Sequence, residues 1–77
     1  MYAYTNTNGI NVVYNNNNQS AQAVVEIYNI MGQKLFTSNS ITGGETVTYK
    51  PVNTAQANVY IAHVISNGKT KTIKVVY

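Results

Sequence analysis

Carboxylates and a histidine are the side chains of this 77-residue sequence that could serve as an acid, a base or a metal ligand. The chain has only three of them, Glu26, Glu45 and His63, and it has no cysteine. Two carboxylates can hydrolyse a glycosidic bond, but only where the fold brings them to opposite sides of that bond. The alternation around Glu26 and Glu45 predicts that both point away from the core. We therefore interpret them as solvated surface residues.

The single histidine is equally poor in chemical partners. A catalytic triad needs a nucleophile and an orienting acid beside the histidine, and a zinc site needs three or four protein ligands. His63 shares a strand face with Ile61 and Ile65, which indicates a half-buried structural side chain. The pair Gly43-Gly44 lacks the strand–loop–helix context of a phosphate-binding loop and indicates a turn. The sequence therefore predicts no catalytic residue, no metal site and no cofactor.

The positive charge of the chain is spread out. The formal net charge is +3, and the basic side chains are five lysines without any arginine. Nucleic-acid-binding proteins concentrate lysine and arginine on one face. The lysines here are scattered along the sequence, at Lys34, Lys50, Lys69, Lys71 and Lys74. We therefore predict no nucleic-acid partner.

Seven tyrosines leave a second kind of site open, because flat aromatic rings can stack on sugars. Tyr14, Tyr49 and Tyr60 fall on positions that alternation predicts to face inward, where they contribute core area. Tyr28 is the best candidate for an exposed ring. A small carbohydrate-binding or adhesive module is therefore an alternative function, and a spacer that caps a neighbouring domain is another.

The elements that must position these residues are short strands. Val, Ile, Thr and Tyr recur with a period of two residues, the pattern of strands that bury one face. Nothing resembles a long amphipathic helix, a membrane span or a signal peptide. The runs are residues 2–5, 10–14, 23–29, 33–37, 45–50, 59–65 and 72–77.

Glycine, asparagine and proline separate the runs. Asn67-Gly68 and Asn8-Gly9 each predict a type I′ hairpin turn, in which both central residues have a positive φ. Gly32 predicts a turn at residues 30–32, and Pro51 ends a strand because it has no backbone N–H. Residues 52–58 are predicted to form a crossover loop. Residues 15–20 are predicted to be an exposed connection, and a glycosylation sequon at residues 18–20 is interpreted as chance.

Seven short strands predict a sandwich of two antiparallel sheets, with an open barrel as the alternative. Residues 1–77 are enough for one domain, and a domain this small buries too little surface to have a wide margin of stability. If the protein is exported, we expect the domain to be part of a larger chain, because the sequence contains no signal peptide. Its exposed edge strands predict weak pairing of two copies.

One stretch of the sequence has a distinctive pattern. Residues 25–35 read Val-Glu-Ile-Tyr-Asn-Ile-Met-Gly-Gln-Lys-Leu. They resemble the hairpin of the type A C-terminal sorting domains of the type IX (Por) secretion system of Bacteroidetes, whose pattern is apolar-x-Ile-Tyr-Asn-x-x-Gly-Gln-x-apolar. In this pattern Val25 and Ile27 face the core, Gly32 makes the turn and Leu35 returns to the core.

The resemblance extends over residues 24–77. Residues 58–64, Asn-Val-Tyr-Ile-Ala-His-Val, are similar to the Gly-x-Tyr strand of these domains. A turn at Asn67-Gly68 follows, and residues 74–77, Lys-Val-Val-Tyr, are similar to their closing Lys-Val-Val. The matches occur in the order and spacing of the family.

The resemblance implies a fold and a function. It implies an immunoglobulin-like sandwich of seven strands, which serves as a sorting signal and not as an enzyme. Its partners would be the outer-membrane translocon and a sortase-like peptidase, which carry a cargo fused upstream through the periplasm to the cell surface. The last two strands would carry the recognised residues, with Gly32 and Gln33 as structural turn residues. The implied recognition residues are Tyr60, Gly68, Lys74, Val75 and Val76.

Overall fold

Strands make up all the regular secondary structure of the described chain. The computed structural model describes residues 1–15, 21–51 and 58–77, and within these ranges there is no helix. Accordingly, the described residues form no helix that is long and apolar enough to cross a membrane. The strands are β1 (Tyr2–Asn6), β2 (Gly9–Val13), β3 (Gln22–Asn29), β4 (Lys34–Thr37), β5 (Ile41–Thr42), β6 (Thr46–Tyr49), β7 (Val59–Ser66) and β8 (Lys69–Val76).

The strands form two antiparallel sheets. The smaller sheet has the order β1-β2-β6, and the larger sheet has the order β4-β3-β7-β8 with β5 paired to the beginning of β3. The chain leaves the smaller sheet after β2, returns to it for β6 and leaves it again for β7. This is the connectivity of an immunoglobulin-like sandwich. The all-β, immunoglobulin-like sandwich predicted from the sequence is therefore confirmed.

The core lies between the two sheets and follows the alternation of the strands. Ile10 and Val12 of the smaller sheet and Val25 and Ile27 of the larger sheet have no exposed surface. β3 buries every second side chain, as a period of two residues requires, whereas β2 also buries Asn11 between Ile10 and Val12. The other buried apolar residues are Tyr14, Ala23, Ile41, Val47, Tyr60, Ala62, Val64 and Val75.

Residues 1–15, 21–51 and 58–77 contain eight strands, one more than the seven predicted. β5 consists of Ile41 and Thr42 alone, which pair with Ala23 and Gln22 at the beginning of β3. Ile41 is buried against the core, and this burial holds the short strand in place. A two-residue strand is too short to show alternation, so sequence periodicity does not detect it.

The expectation that Leu35 returns to the core is wrong. In the β3–β4 pairing, Ile27 lies opposite Phe36 and Tyr28 lies opposite Lys34, so Leu35 is left between the two pairs. This is a β-bulge, which re-aims side chains on the bulged strand. Leu35 is 39% exposed, and Phe36 packs against the core in its place.

The two predicted type I′ turns have different outcomes. Asn67 and Gly68 both have positive φ, of 54° and 73°, as predicted for the β7–β8 hairpin. The prediction for Asn8-Gly9 is wrong, because the turn residues are Thr7 and Asn8, and Gly9 already belongs to β2. The Asn6 side chain accepts a hydrogen bond from the Asn8 backbone N–H at 2.9 Å, which closes the turn without a positive φ at Asn8.

Other turn predictions hold where the structure describes the residues. Gly43 and Gly44 form a turn before β6, and β6 ends at Tyr49, shortly before Pro51. The predictions for residues 16–20, including the sequon at Asn18, and for residues 52–57 lie outside the described residues.

Candidate recognition surface

The turn between β3 and β4 is organised by one side chain. The Asn29 Oδ1 atom accepts hydrogen bonds from the backbone N–H groups of Met31 and Gln33, both at 3.0 Å. The Asn29 amide donates to Gln33 Oε1 at 2.8 Å, and the Gly32 N–H donates to the Asn29 carbonyl at 3.0 Å. Gly32 has a φ of 86°, which glycine adopts at no steric cost. Gly32 and Gln33 thus both have a defined place in the turn.

Replacing Asn29 by alanine removes the acceptor of two backbone N–H groups. We expect the free energy of unfolding to fall by about 1–2 kcal/mol, because the turn is exposed and water replaces part of what is lost. Urea unfolding followed by circular dichroism measures this change. The control is Asn39→Ala, an exposed asparagine whose side chain makes no described hydrogen bond. Equal stability of the two variants would contradict the organising role of Asn29.

The same turn exposes apolar side chains. Ile30 is 75% exposed and Met31 is 80% exposed. Together with Leu35 and the first residues of β7 they line an open groove with a volume of about 290 Å³. Val59 lines this groove and also lies opposite Val76 in the β7–β8 pairing. We call Ile30, Met31, Leu35, Val59 and Val76 the end patch.

The implied recognition residues occupy three different places. Tyr60 and Val75 are opposite one another and face the core, with 6% and 8% of their surfaces exposed. Lys74 and Val76 lie on either side of Val75 in the sequence and therefore on the exposed face of β8. Val76 belongs to the end patch, and Lys74 lies close to it. Gly68 is in the turn at the other end of the strands, roughly 25 Å away at the rise of a β-strand. Of the implied recognition residues, only Lys74 and Val76 are therefore exposed near the end patch. That a partner protein recognises them stays a prediction.

Beside the end patch, the outer face of the larger sheet has a polar cluster. Glu26 Oε2 lies 2.9 Å from Lys34 Nζ, and the Tyr28 hydroxyl donates a hydrogen bond to Glu26 Oε1 at 2.8 Å. The Tyr28 ring packs on His63, with the ring centroids 4.9 Å apart. The bond to Lys34, followed by the bond to Tyr28, lowers the pKa of the Glu26 carboxyl. The bond to Glu26 raises the pKa of Lys34 and of Tyr28.

Glu45 belongs to a separate network. Glu45 Oε1 accepts hydrogen bonds from the Thr42 backbone N–H at 2.8 Å and from the Thr42 hydroxyl at 2.6 Å. These two bonds lower the pKa of Glu45. Because Glu26 and Glu45 bind different partners on different strands, they do not form a carboxylate pair. Within the described ranges, no three His, Cys, Asp or Glu side chains group together as metal ligands.

The Glu26 network predicts a pH dependence of stability. The folded-state pKa of Glu26 is below its ordinary value, so its contribution is present above that ordinary value and is lost as the pH falls through the lowered pKa. We expect the free energy of unfolding of Glu26→Gln to fall less than that of the wild type as the pH is lowered from neutral to acidic values. Urea unfolding at a series of pH values measures this acid limb of the stability curve. Glu45→Gln is the matched control and removes only the part of the limb that belongs to Glu45. An acid limb that Glu26→Gln leaves unchanged would contradict the prediction.

The three tyrosines that were predicted to face inward, Tyr14, Tyr49 and Tyr60, do pack in or against the core, but the prediction of Tyr28 as the exposed ring is wrong. Tyr28 is half-buried in the polar cluster, whereas Tyr2 and Tyr4 of β1 are 52% and 45% exposed. Their ring centroids lie 6.4 Å apart with the ring planes tilted by 30°. Their spacing of two residues around Ala3 places both on one strand face, which is the sequence signal for this pair. Neither this pair nor the exposure of Ile30 and Met31 was predicted from the sequence.

No family model, no curated protein and no solved structure matches this chain. Its functional interpretation therefore depends on its residues and on their arrangement. The expected weak pairing of two copies through edge strands also stays a prediction. The edges of the larger sheet are β4 and β8.

Proposed function

We propose that this domain is a C-terminal sorting domain of the type IX secretion system and acts as a recognition module without enzymatic activity. Its partners are the outer-membrane translocon and a sortase-like peptidase, which export a fused cargo and attach it to the cell surface. The observation that supports the proposal best is the end patch. The turn of the Ile-Tyr-Asn-x-x-Gly-Gln pattern and the end of β8, which the family resemblance identifies separately, meet there.

The end patch has the properties of a surface that a protein partner covers. Exposed apolar side chains in a contiguous group on a small soluble domain mark an interaction site. Ile30 and Met31 are held outward by the Asn29 turn and contribute nothing to the core. Polar groups flank the patch, with Glu26 and Lys34 on the adjoining face. An apolar centre with a polar rim is the anatomy of protein interfaces.

The test is export of a reporter fused upstream of residues 1–77 in a Bacteroidetes host. We expect the reporter to reach the cell surface with the wild-type domain and to accumulate in the periplasm with Ile30→Ser/Met31→Ser. The matched control is Tyr2→Ser/Tyr4→Ser, which also removes two exposed apolar side chains but from the smaller sheet. Circular dichroism of both purified domains checks that they are folded. A wild-type fusion that stays in the periplasm would overturn the proposal. Surface display of the Ile30→Ser/Met31→Ser fusion at the wild-type level would exclude the end patch as the recognised surface.

A second candidate function is carbohydrate binding, and the Tyr2–Tyr4 pair is the observation that favours it. Two exposed tyrosine rings on one sheet face offer the surface on which sugars stack. Glycan-array binding that Tyr2→Ser/Tyr4→Ser abolishes and Ile30→Ser/Met31→Ser leaves intact would support this function. The same two variants thus separate the candidates, because each is the control of the other.

A further inference from the structure

A second groove lies at the end of the sandwich opposite to the end patch. It has a volume of about 410 Å³ and runs beside the β7–β8 turn. Val64 and Met1 give it an apolar part, and its polar part comes from both sheets and their connections. The residues that supply hydrogen-bonding groups are Tyr14, Asn15, Ser66, Asn67, Lys69 and Lys71.

Two of these residues bring positive charge that neither glutamate side chain of the protein neutralises. Lys69 and Lys71 are two residues apart on β8, so their side chains share one face of the strand. They lie opposite Ser66 and Val64 of β7, and both line the groove. The chain has only two side-chain carboxylates. Glu26 binds Lys34, and Glu45 binds Thr42, as described above. An anion from outside the chain is therefore the partner that these two ammonium groups can take.

The polar atoms of the groove are held in place. The Ser66 hydroxyl donates to the Gln22 carbonyl at 2.8 Å, and its oxygen lies 2.9 Å from the Tyr14 hydroxyl. Because the single Ser66 proton is directed to Gln22, the Tyr14 hydroxyl is the donor to Ser66. The amides of Asn15 and Asn67 add donors and acceptors beside this pair. A ligand with hydroxyl groups can use these donors and acceptors.

We propose that this groove binds a small polyhydroxylated anion, a sugar phosphate or a sugar acid. Lys69 and Lys71 bind the phosphate or carboxylate, and the asparagine amides bind the hydroxyl groups. The volume is within the range of small-ligand sites and accommodates one or two sugar rings. Both sources present the same chemistry, an oxyanion on a hydroxylated body. The site is at the other end of β7 and β8 from the end patch, so it is independent of the proposed sorting function.

The test is an NMR titration of the ¹⁵N-labelled chain of residues 1–77. The probes are glucose 6-phosphate, glucuronate, glucose and inorganic phosphate. We expect the amides of Asn67, Lys69 and Lys71 to shift with glucose 6-phosphate or glucuronate, with a Kd of about 1 mM for so open a groove. The tighter of the two identifies the oxyanion as a phosphate or a carboxylate. Added salt weakens the binding, because exposed lysines are screened.

Matched variants decide whether the lysines are responsible. We expect Lys69→Gln/Lys71→Gln to weaken binding about tenfold or more, the size of a lost bond to a charged group. Lys74→Gln is the control, on the same strand but on its other face, and leaves the Kd unchanged. Binding of both variants at wild-type strength would overturn the proposal. So would equal shifts with glucose, no binding of either sugar anion, or inorganic phosphate binding as tightly as glucose 6-phosphate, which means an adventitious ion only.

Discussion

Replacing Tyr60 by alanine lowers the free energy of unfolding by about 3–5 kcal/mol, the usual cost of removing a large buried aromatic side chain. Tyr60 is 6% exposed and belongs to the core on the central strand β7, between β3 and β8. A domain of this size has a stability at the low end of the range of about 5–15 kcal/mol. The variant is therefore largely unfolded at 37 °C. Urea and thermal unfolding followed by circular dichroism measure the loss.

Val76→Ala is the control for this experiment. Val76 follows Val75, the residue opposite Tyr60, but it faces outward and is 56% exposed. Its replacement changes the free energy of unfolding by no more than about 0.5 kcal/mol, as for most surface substitutions. A loss below about 1 kcal/mol for Tyr60→Ala would contradict the buried position of this side chain.

Because Tyr60 is buried and Val76 is exposed, only the replacement of Val76 can test recognition by a partner without unfolding the domain. A Tyr60→Ala fusion that fails to be exported fails because the domain unfolds, and this result says nothing about contact with the translocon. Val75 has the same difficulty, since it is also buried. Lys74, Val76 and the turn residues Ile30 and Met31 are exposed, so their replacement tests the surface alone. The recognition hypothesis is therefore best tested on these residues.

The sandwich was predictable because its long central strands β3 and β7 bury alternate side chains. The alternation in β7 assigns Tyr60, Ala62 and Val64 to the core and His63 to the outer face, as the structure has them. The conformation of a turn was predictable where it depends on adjacent residues alone. Asn67-Gly68 is an example, because asparagine and glycine are the residues that favour the positive φ angles of this turn. Both signals are local, and local signals can be read from one sequence.

Features that depend on pairing between distant residues were not predictable. Leu35 is apolar and its position suits the core, but the bulge that turns it outward is set by the register of β4 against β3. The exposure of Ile30 and Met31 has a local cause, the Asn29 turn, but it was missed because apolar residue types usually indicate burial. Likewise, the spacing of Lys69 and Lys71 predicts that they share a strand face, but the groove that they line also needs Tyr14 and Asn15, which lie far away in the sequence.

Replacing Gly9 by alanine has an effect of similar size to the loss of Tyr60, although it adds only one methyl group. Gly9 has a φ of 124°, which is costly for any residue with a side chain. A Cβ atom at Gly9 would also lie 2.8 Å from the Lys50 Cα and 2.9 Å from the Tyr49 carbonyl carbon. Both are backbone atoms, so neither can move aside without shifting β6 away from β2. We expect strain of about 1–3 kcal/mol and a clash of similar size, together roughly 3–5 kcal/mol.

Gly44→Ala separates these two contributions. Gly44 also has a positive φ, of 94°, but a Cβ atom there would meet nothing within 4 Å. The Gly44→Ala variant therefore shows the backbone strain alone, about 1–3 kcal/mol by the same urea unfolding. The additional loss in Gly9→Ala measures the close approach of the Tyr49–Lys50 backbone. If both variants lose the same free energy, strain alone accounts for Gly9, and β2 and β6 tolerate a wider separation than the structure has.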